Sequence, residues 1–253
     1  MKTAMLIVMA IILASAPAHA APLTTIILSG SDTISLHAVD TEAAAAYNFL
    51  SNGGTGDVLV VNDFGAGAGY GGGGFGPFTS VASLTGVTLS DYAGIMFASP
   101  SGCCSDPGAA AVGFEAELAA YVATGNLYIE DYQGLPVWTA ILGFDGAAGV
   151  IADSGCTGDP GVPTAQGLTF GYVGGSFGCY THQIYDPAFF AAEGFVSLVD
   201  GCNDARTICG SVILGSGEAA VPPSVPAPGA LVLLVGGLLT GVLASGRKLL
   251  KRP

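Results

Sequence analysis

The segment Phe114–Asp131, "FEAELAAYVATGNLYIED", combines a helix, a stop signal and a strand. Leu118 and Val122 of this segment lie near one stripe at helical spacing with Val112, which precedes the segment. Gly125 ends this helix, which we predict over 109–126, and a short apolar run over 126–131 predicts a strand. A strand that follows a helix so closely indicates an α/β fold, in which helices cover the faces of a sheet.

The same alternation continues on both sides of this segment. Strands are predicted over 24–30, 57–63 and 92–99, and helices over 41–52 and 135–144. The run at 57–63, "DVLVVND", is apolar between its acids, which is typical of a strand buried on both faces of a parallel sheet. Residues 194–217 instead indicate two strands joined by a short loop. We therefore predict a mostly parallel sheet flanked by helices, with an antiparallel edge.

The charged residues are segregated along the chain. All 19 acidic residues lie between Asp32 and Glu218. The six basic residues are Lys2, Arg206, Arg247, Lys248, Lys251 and Arg252. A body with a single cation among so many acids repels phosphate backbones, which excludes nucleic-acid binding as a function class. Such a surface favours solubility outside the cell and attracts cations or basic partners.

The first twenty residues have the composition of a secretory signal peptide. Lys2 supplies a positive start, and Ala4–Ala14 is an apolar stretch too short to span a bilayer. Ala18 and Ala20 then offer a small-residue cleavage site. We expect a signal peptide over 1–20, followed by an exported α/β domain over 21–216.

The C-terminal segment predicts a membrane anchor. A Pro-rich linker with a sorting motif over 217–228 precedes an apolar span and basic tail over 229–253. Gly229–Ser245 carries no charge and would extend about 26 Å as a helix, close to the roughly 30 Å of a hydrocarbon core. The positive-inside rule would leave Arg247 and Lys248 in the cytoplasm and the body outside. We therefore expect one C-terminal transmembrane helix.

This tail resembles a PEP-CTERM sorting signal. Pro226, Ala227 and Pro228 stand where that family usually has Pro-Glu-Pro, and an apolar span follows. Arg247 and Lys248 open the basic cluster that closes the motif. The resemblance implies recognition by an exosortase in Gram-negative bacteria that make exopolysaccharide. It also implies a transient tether to the inner membrane, with the body outside the cytoplasm and later at the cell surface or in the extracellular polysaccharide of a biofilm.

Six cysteines lie in the predicted exported domain, and an even number in an oxidising compartment favours disulfides. Six cysteines allow 15 pairings. The pairs that we prefer are Cys202–Cys209 across a short turn, Cys156–Cys179 across a loop, and the adjacent Cys103–Cys104. A bond between neighbours strains the intervening peptide, so the last two can instead stay thiols or pair elsewhere.

The order of elements resembles the flavodoxin-like fold of class I glutamine amidotransferases, including the trehalose-utilisation type. The resemblance covers roughly 21–216, and three stretches carry it: "LSDYAGIMFAS" (89–99), "FEAELAAYVATGNLYIED" (114–131) and "THQIYDPAFF" (181–190). Those families have a second glycine where this chain has Asn126. They place a nucleophilic cysteine on the turn after the next strand. Here that turn is Asp131–Gly134, without Cys or Ser.

Two functions remain open for the body. The first is a non-catalytic binding or structural module of the envelope or extracellular matrix. The second is a cysteine-dependent hydrolase, which would use Cys103 or Cys104 as nucleophile and His182 as base. Cysteines of an exported chain are more often oxidised and structural than reactive, which favours the first function.

No cofactor is predicted. Gly67, Gly69 and Gly72 have the spacing of a dinucleotide-binding fingerprint, but no helix follows them, so a flexible loop is expected. No Cys/His spacing suits zinc. Association with Ca²⁺ is an alternative, through acids at predicted loop or strand ends: Asp106, Glu130, Asp131, Asp153 and Asp159. They lack the spacing of a calcium-binding loop, which favours a solvated acidic surface.

Overall fold

The computed structural model describes residues 25–37, 40–61, 75–100, 105–153, 161–173, 181–203 and 205–217. Within these ranges the strands are β1 (Ile26–Ser29), β2 (Val58–Val61), β3 (Thr79–Val81), β4 (Gly94–Phe97), β5 (Asn126–Ile129), β6 (Val150–Asp153), β7 (Val162–Pro163), β8 (Gln183–Tyr185), β9 (Phe195–Cys202) and β10 (Cys209–Ser216). The α-helices are α1 (Asp40–Leu50), α2 (Glu115–Tyr121), α3 (Pro136–Leu142), α4 (Ala165–Phe170) and α5 (Pro187–Ala192). Short 3₁₀ helices lie at Leu89–Asp91, Pro107–Ala111 and Ala147–Gly149.

All ten strands belong to one sheet, whose main path has the order β3-β2-β4-β5-β1-β10-β8-β6. The first five strands of this path pair in parallel, and β10 pairs antiparallel with β1, β8 and β9. This confirms the predicted α/β class with a mostly parallel sheet. The predicted antiparallel strands over 194–217 are β9 and β10, and β10 joins the parallel part of the sheet at β1. The antiparallel part extends beyond an edge, since β6 and β8 also belong to it.

Helices cover both faces of the sheet. Side chains of β2 alternate between two buried clusters, so that Val60 joins one and Leu59 joins the other. The first cluster contains apolar side chains of α1, and the second contains side chains from three helices: Leu118 of α2, Trp138 of α3 and Phe190 of α5. The sheet is therefore the middle of three layers, and its strand ends are free to hold a site.

The predicted helix over 109–126 is wrong in its first half. Helix α2 begins only at Glu115, and Gly113 before it has a φ of 88°, a left-handed conformation that interrupts a right-handed helix. Val112, expected on the buried stripe, is 62% exposed, whereas Leu118 is fully buried. The composition favours one long helix, but the chain forms two short helices, Pro107–Ala111 and Glu115–Tyr121, with a turn at Gly113 between them.

Among the residues that the structure describes, no helix has the length and apolar character needed to cross a bilayer. The predicted signal peptide over 1–20 lies outside these residues, as does the predicted tail beyond Gly217. The sorting motif at Pro226–Pro228 and the basic pair Arg247 and Lys248 fall in that tail.

A carboxyl group is buried in the first turn of α1. Glu42 is only 1% exposed, and burial raises its pKa to about 7. The folded state therefore holds this proton more tightly than the unfolded chain does. The resulting stability is fully present below about pH 4.5, and it is lost as the pH rises through about 7.

Replacing Glu42 with glutamine should make the free energy of unfolding less dependent on pH. Ionisation of the wild-type carboxyl should cost up to about 3 kcal/mol, because one pKa unit corresponds to about 1.4 kcal/mol. Denaturant unfolding at about pH 5 and about pH 8 measures the difference. The stability lost between these values should be smaller in E42Q than in the wild type or in E193Q, whose carboxyl is exposed. An equal loss in all three proteins would contradict the raised pKa.

Candidate functional site

Buried polar side chains follow three parallel strands at one edge of the sheet. Strands β1, β4 and β5 run in the same direction, so their carboxyl ends meet. Asp32 follows β1, Ser99 follows β4, and Glu130 and Asp131 follow β5, and each of these residues is at most 1% exposed. Open α/β sheets bind their ligands at this edge, which makes it the candidate site.

The loop after β1 contacts the segment before β8. Gly30 donates its N–H to the carbonyl of Val212 in β10 (2.8 Å). The carbonyl of Gly30 accepts from the N–H groups of His182 (2.7 Å) and Gln183 (3.0 Å). These bonds bring His182, which is remote in sequence, to the carboxyl end of β1 and beside Asp32.

Three side chains at this junction form what we call the Asp32 cluster: Asp32, His37 and His182. His182 Nε2 lies 3.1 Å from Asp32 Oδ2, and His37 Nε2 lies 3.3 Å from Asp32 Oδ1. The side chains of Asp32 and His182 are buried, whereas that of His37 is 31% exposed. Each carboxylate oxygen therefore faces one imidazole, and the cluster reaches solvent through His37.

A single helical turn returns His37 to Asp32. The N–H of Leu36 donates to the carbonyl of Asp32 (3.1 Å), which closes the turn. The hydroxyl of Ser31 lies between those of Ser29 (2.9 Å) and Thr33 (3.2 Å), so polar groups continue into the start of the turn. The turn thus places two of the three cluster residues within one short loop.

Glu130 fixes this turn to the neighbouring strand. Its Oε1 accepts from the backbone N–H groups of Ile34 (3.0 Å) and Ser35 (3.1 Å), and its Oε2 accepts from that of Ser99 (3.1 Å). Burial raises the pKa of Glu130 to about 8, although these donors favour the ionised form. Glu130 is therefore a positioning residue for Asp32 and His37, because it holds the loop that carries them.

Asp131 occupies the turn that the amidotransferase resemblance assigns to a nucleophile. Its φ of 46° is a left-handed conformation that costs a residue with a side chain roughly 1 kcal/mol. Its Oδ2 accepts from the hydroxyl of Ser99 (2.6 Å). Burial raises the pKa of Asp131 to about 7; the charge of Asp32 also raises it, while the Ser99 hydrogen bond and His182 lower it. The turn presents a restrained carboxyl group rather than a thiol.

Two of the acids considered for Ca²⁺, Asp106 and Glu130, accept hydrogen bonds from N–H groups. Asp106 accepts from two backbone N–H groups and from the indole N–H of Trp138. The oxygens of Glu130 accept from the three backbone N–H groups described above. Donor hydrogens therefore occupy the positions that a cation would need. The side chain of Asp153 and all of Asp159 lie outside the described residues.

Only one of the preferred cysteine pairs lies in the described residues. Cys202 and Cys209 form a disulfide between the paired ends of β9 and β10. The other preferred pairs, Cys156–Cys179 and Cys103–Cys104, lie outside the described residues. The structure thus gives the position of His182 but not that of either cysteine proposed to act with it.

Sequence reasoning missed most of the Asp32 cluster. Asp32 and His37 are five residues apart after a strand, which is a local signal for a shared turn. His182 follows much later, so no short spacing could join it to them. The Cys/His spacings that indicate zinc in a sequence need closely spaced ligands. In this cluster, strand pairing brings His182 to the other two residues.

Replacing Gly30 with alanine should break the junction that brings His182 to Asp32. A Cβ atom at Gly30 would overlap the backbone carbonyl oxygen of Gln183. The strand ends must then separate, at a cost of about 1–3 kcal/mol or more. Urea unfolding should show a larger loss of stability for G30A than for G86A, since Gly86 has a φ of 79° but open space around its Cα. A loss of less than about 1 kcal/mol in G30A would mean that the close approach is not required.

Comparison with known proteins gives no relative from which a function could be transferred. No family model matches the chain. No curated protein matches it, and no solved structure does. The residues of the carboxyl edge are therefore the basis for assigning a function to this domain.

Proposed function

We propose that this chain is an exported envelope or extracellular-matrix protein whose α/β domain is a non-catalytic binding module. Its ligand site is the Asp32 cluster. The observation that supports this most directly is the convergence of Asp32, His37 and His182 at the ligand-binding edge of the sheet. Titratable side chains gathered in a cleft or at a ligand-binding edge are candidates for a functional site, which favours a binding role for these three residues.

The contacts of His182 and Asp131 favour binding over cysteine catalysis. His182 directs Nε2 at Asp32, and its side chain is 1% exposed. Asp131 stands at the turn linked to the nucleophile by resemblance, and its carboxyl is held by Ser99. The alternative function remains a hydrolase with Cys103 or Cys104 as nucleophile and His182 as base. It requires a thiol to reach Nδ1 of the buried His182 ring, because Nε2 faces Asp32.

Several features support export. The N-terminal segment has signal-peptide composition, and the tail resembles a PEP-CTERM signal. The disulfide between Cys202 and Cys209 fits an oxidising compartment. We therefore propose that an exosortase and, transiently, the inner membrane are partners. After release from the membrane, we propose that the exported domain lies in the extracellular polysaccharide.

Thiol labelling of the secreted protein tests the non-catalytic assignment. We expect no cysteine to react under native conditions and all six to react after reduction and denaturation, because oxidised cysteines do not form thiolates. A C103S variant and a C104S variant identify any thiol that does react. Rapid native labelling of Cys103 or Cys104, slowed by His182→Gln, would replace this proposal by the cysteine hydrolase.

Fractionation of a host strain with and without its exosortase tests the proposed sorting. The protein should appear outside the cytoplasm without residues 1–20, and it should accumulate in the inner membrane when the exosortase is deleted. A variant with Pro226 and Pro228 replaced by alanine should accumulate in the same way, whereas replacing Pro222 and Pro223 in the linker should have no effect. Unprocessed protein free in the cytoplasm would contradict export.

A further inference from the structure

We propose that the Asp32 cluster binds one divalent first-row transition-metal ion, of which Zn²⁺ is the representative. The ligands are His37 Nε2, His182 Nε2 and a carboxylate oxygen of Asp32. This inference rests on the proposed function, because it names the ligand class of the same site.

The spacing of the three side chains fits such an ion. Tetrahedral zinc with bonds of about 2.0–2.1 Å holds its ligand atoms about 3.3 Å apart. His182 Nε2 lies 3.1 Å from Asp32 Oδ2 and His37 Nε2 lies 3.3 Å from the other oxygen, Oδ1. One ligand atom from each of the three residues lies within 4.8 Å of the other two. Small side-chain movements are therefore enough to close the site around an ion.

The donor atoms select the class of metal. Two imidazole nitrogens and one carboxylate oxygen suit zinc and its neighbours in the first transition row. Calcium and magnesium prefer shells made entirely of oxygen. The oxygens of Glu130 are already engaged by three backbone N–H groups, so they do not convert the cluster into a hard-cation site.

The distribution of charge favours a bound cation. Three carboxyl side chains are buried at this edge: Asp32, Glu130 and Asp131. The described ranges contain one arginine and no lysine, and that arginine, Arg206, is exposed. Buried carboxylates need a paired charge or a metal. A divalent ion at Asp32 would supply positive charge that no lysine or arginine of the described residues supplies there.

The cluster also leaves room for exchange with solvent. Three protein ligands leave a fourth position of the ion for water or for an added ligand. His37 is the ligand nearest solvent, so an ion can reach Asp32 by displacement of this side chain. Glu130 holds the loop of two ligands in place before the ion arrives, which lowers the cost of ordering them.

Metal titration of the chelator-treated, full-length protein in detergent tests the proposal. Zn²⁺ binding is measured by competition with a chromophoric chelator, and Co²⁺ reports ligand geometry through its visible absorption. One ion per chain is expected, with a higher melting temperature in its presence. Loss of an outer-shell partner alone typically costs about 10–100-fold in affinity, so His37→Ala should cost about 100-fold or more.

Matched variants separate the cluster from other sources of metal binding. Asp57→Asn removes an exposed acid and should leave the affinity unchanged. The C103S/C104S double variant should also bind normally, because no thiol is among the ligands. His37 is partly exposed, so H37A keeps the test valid if the buried variants D32N and H182Q fail to fold.

Two results would overturn the metal site. One is the absence of a bound ion in a folded wild-type protein at micromolar Zn²⁺. The other is binding that H37A does not weaken, or that the double cysteine variant abolishes. Either result would identify the cluster as a hydrogen-bonded group of Asp32 with two imidazoles. The wider binding-module proposal fails separately, through native labelling of Cys103 or Cys104.

Discussion

The buried carboxylate of Asp32 is the constraint on which the carboxyl edge of this domain depends. An ionised carboxylate loses its hydration when it is buried, and it must recover that free energy from nearby donors or cations. No lysine or arginine in the described residues is buried with it, and the side chains that face its two oxygens are the imidazoles of His37 and His182. Both come to Asp32 through backbone bonds, one by a helical turn and the other by the Gly30 junction.

The neighbouring carboxyls show two further responses to the same constraint. Glu130 accepts hydrogen bonds from three backbone N–H groups, and two of these bonds hold the loop after β1. Asp131 has one short bond from Ser99, and burial raises its pKa to about 7. Glu130 thus fixes the loop through several donors, whereas Asp131 is restrained through Ser99, and burial raises the pKa of the two carboxyl groups to about 8 and about 7, respectively.

The local parts of the fold could be predicted from the sequence. Strands β2, β4 and β5 are apolar runs with clear ends, and α3 begins at Pro136 as its composition indicates. Strands β7 and β8 have two and three residues, too few for a periodic pattern, so their sites in the sheet depend on tertiary pairing. The pairing of β10 with β1 also depends on tertiary structure, so the sequence predicts the antiparallel pair β9 and β10 but not the strand that it joins.

The candidate site was predictable only where it is local. The resemblance to amidotransferases drew attention to the turn at Asp131, but the chemistry of that turn differs from the family's because it has a carboxyl group. The proximity of His182 to Asp32 could not be predicted without knowing that the carbonyl of Gly30 accepts the backbone N–H of His182.

The proposed compartment also bears on which side chains can bind a metal. In an oxidising compartment the cysteines would be held as disulfides, which removes the thiolates that otherwise compete for transition metals. Imidazole and carboxylate would then be the ligands left to the chain, and the Asp32 cluster combines both at the solvent-accessible end of a buried polar edge.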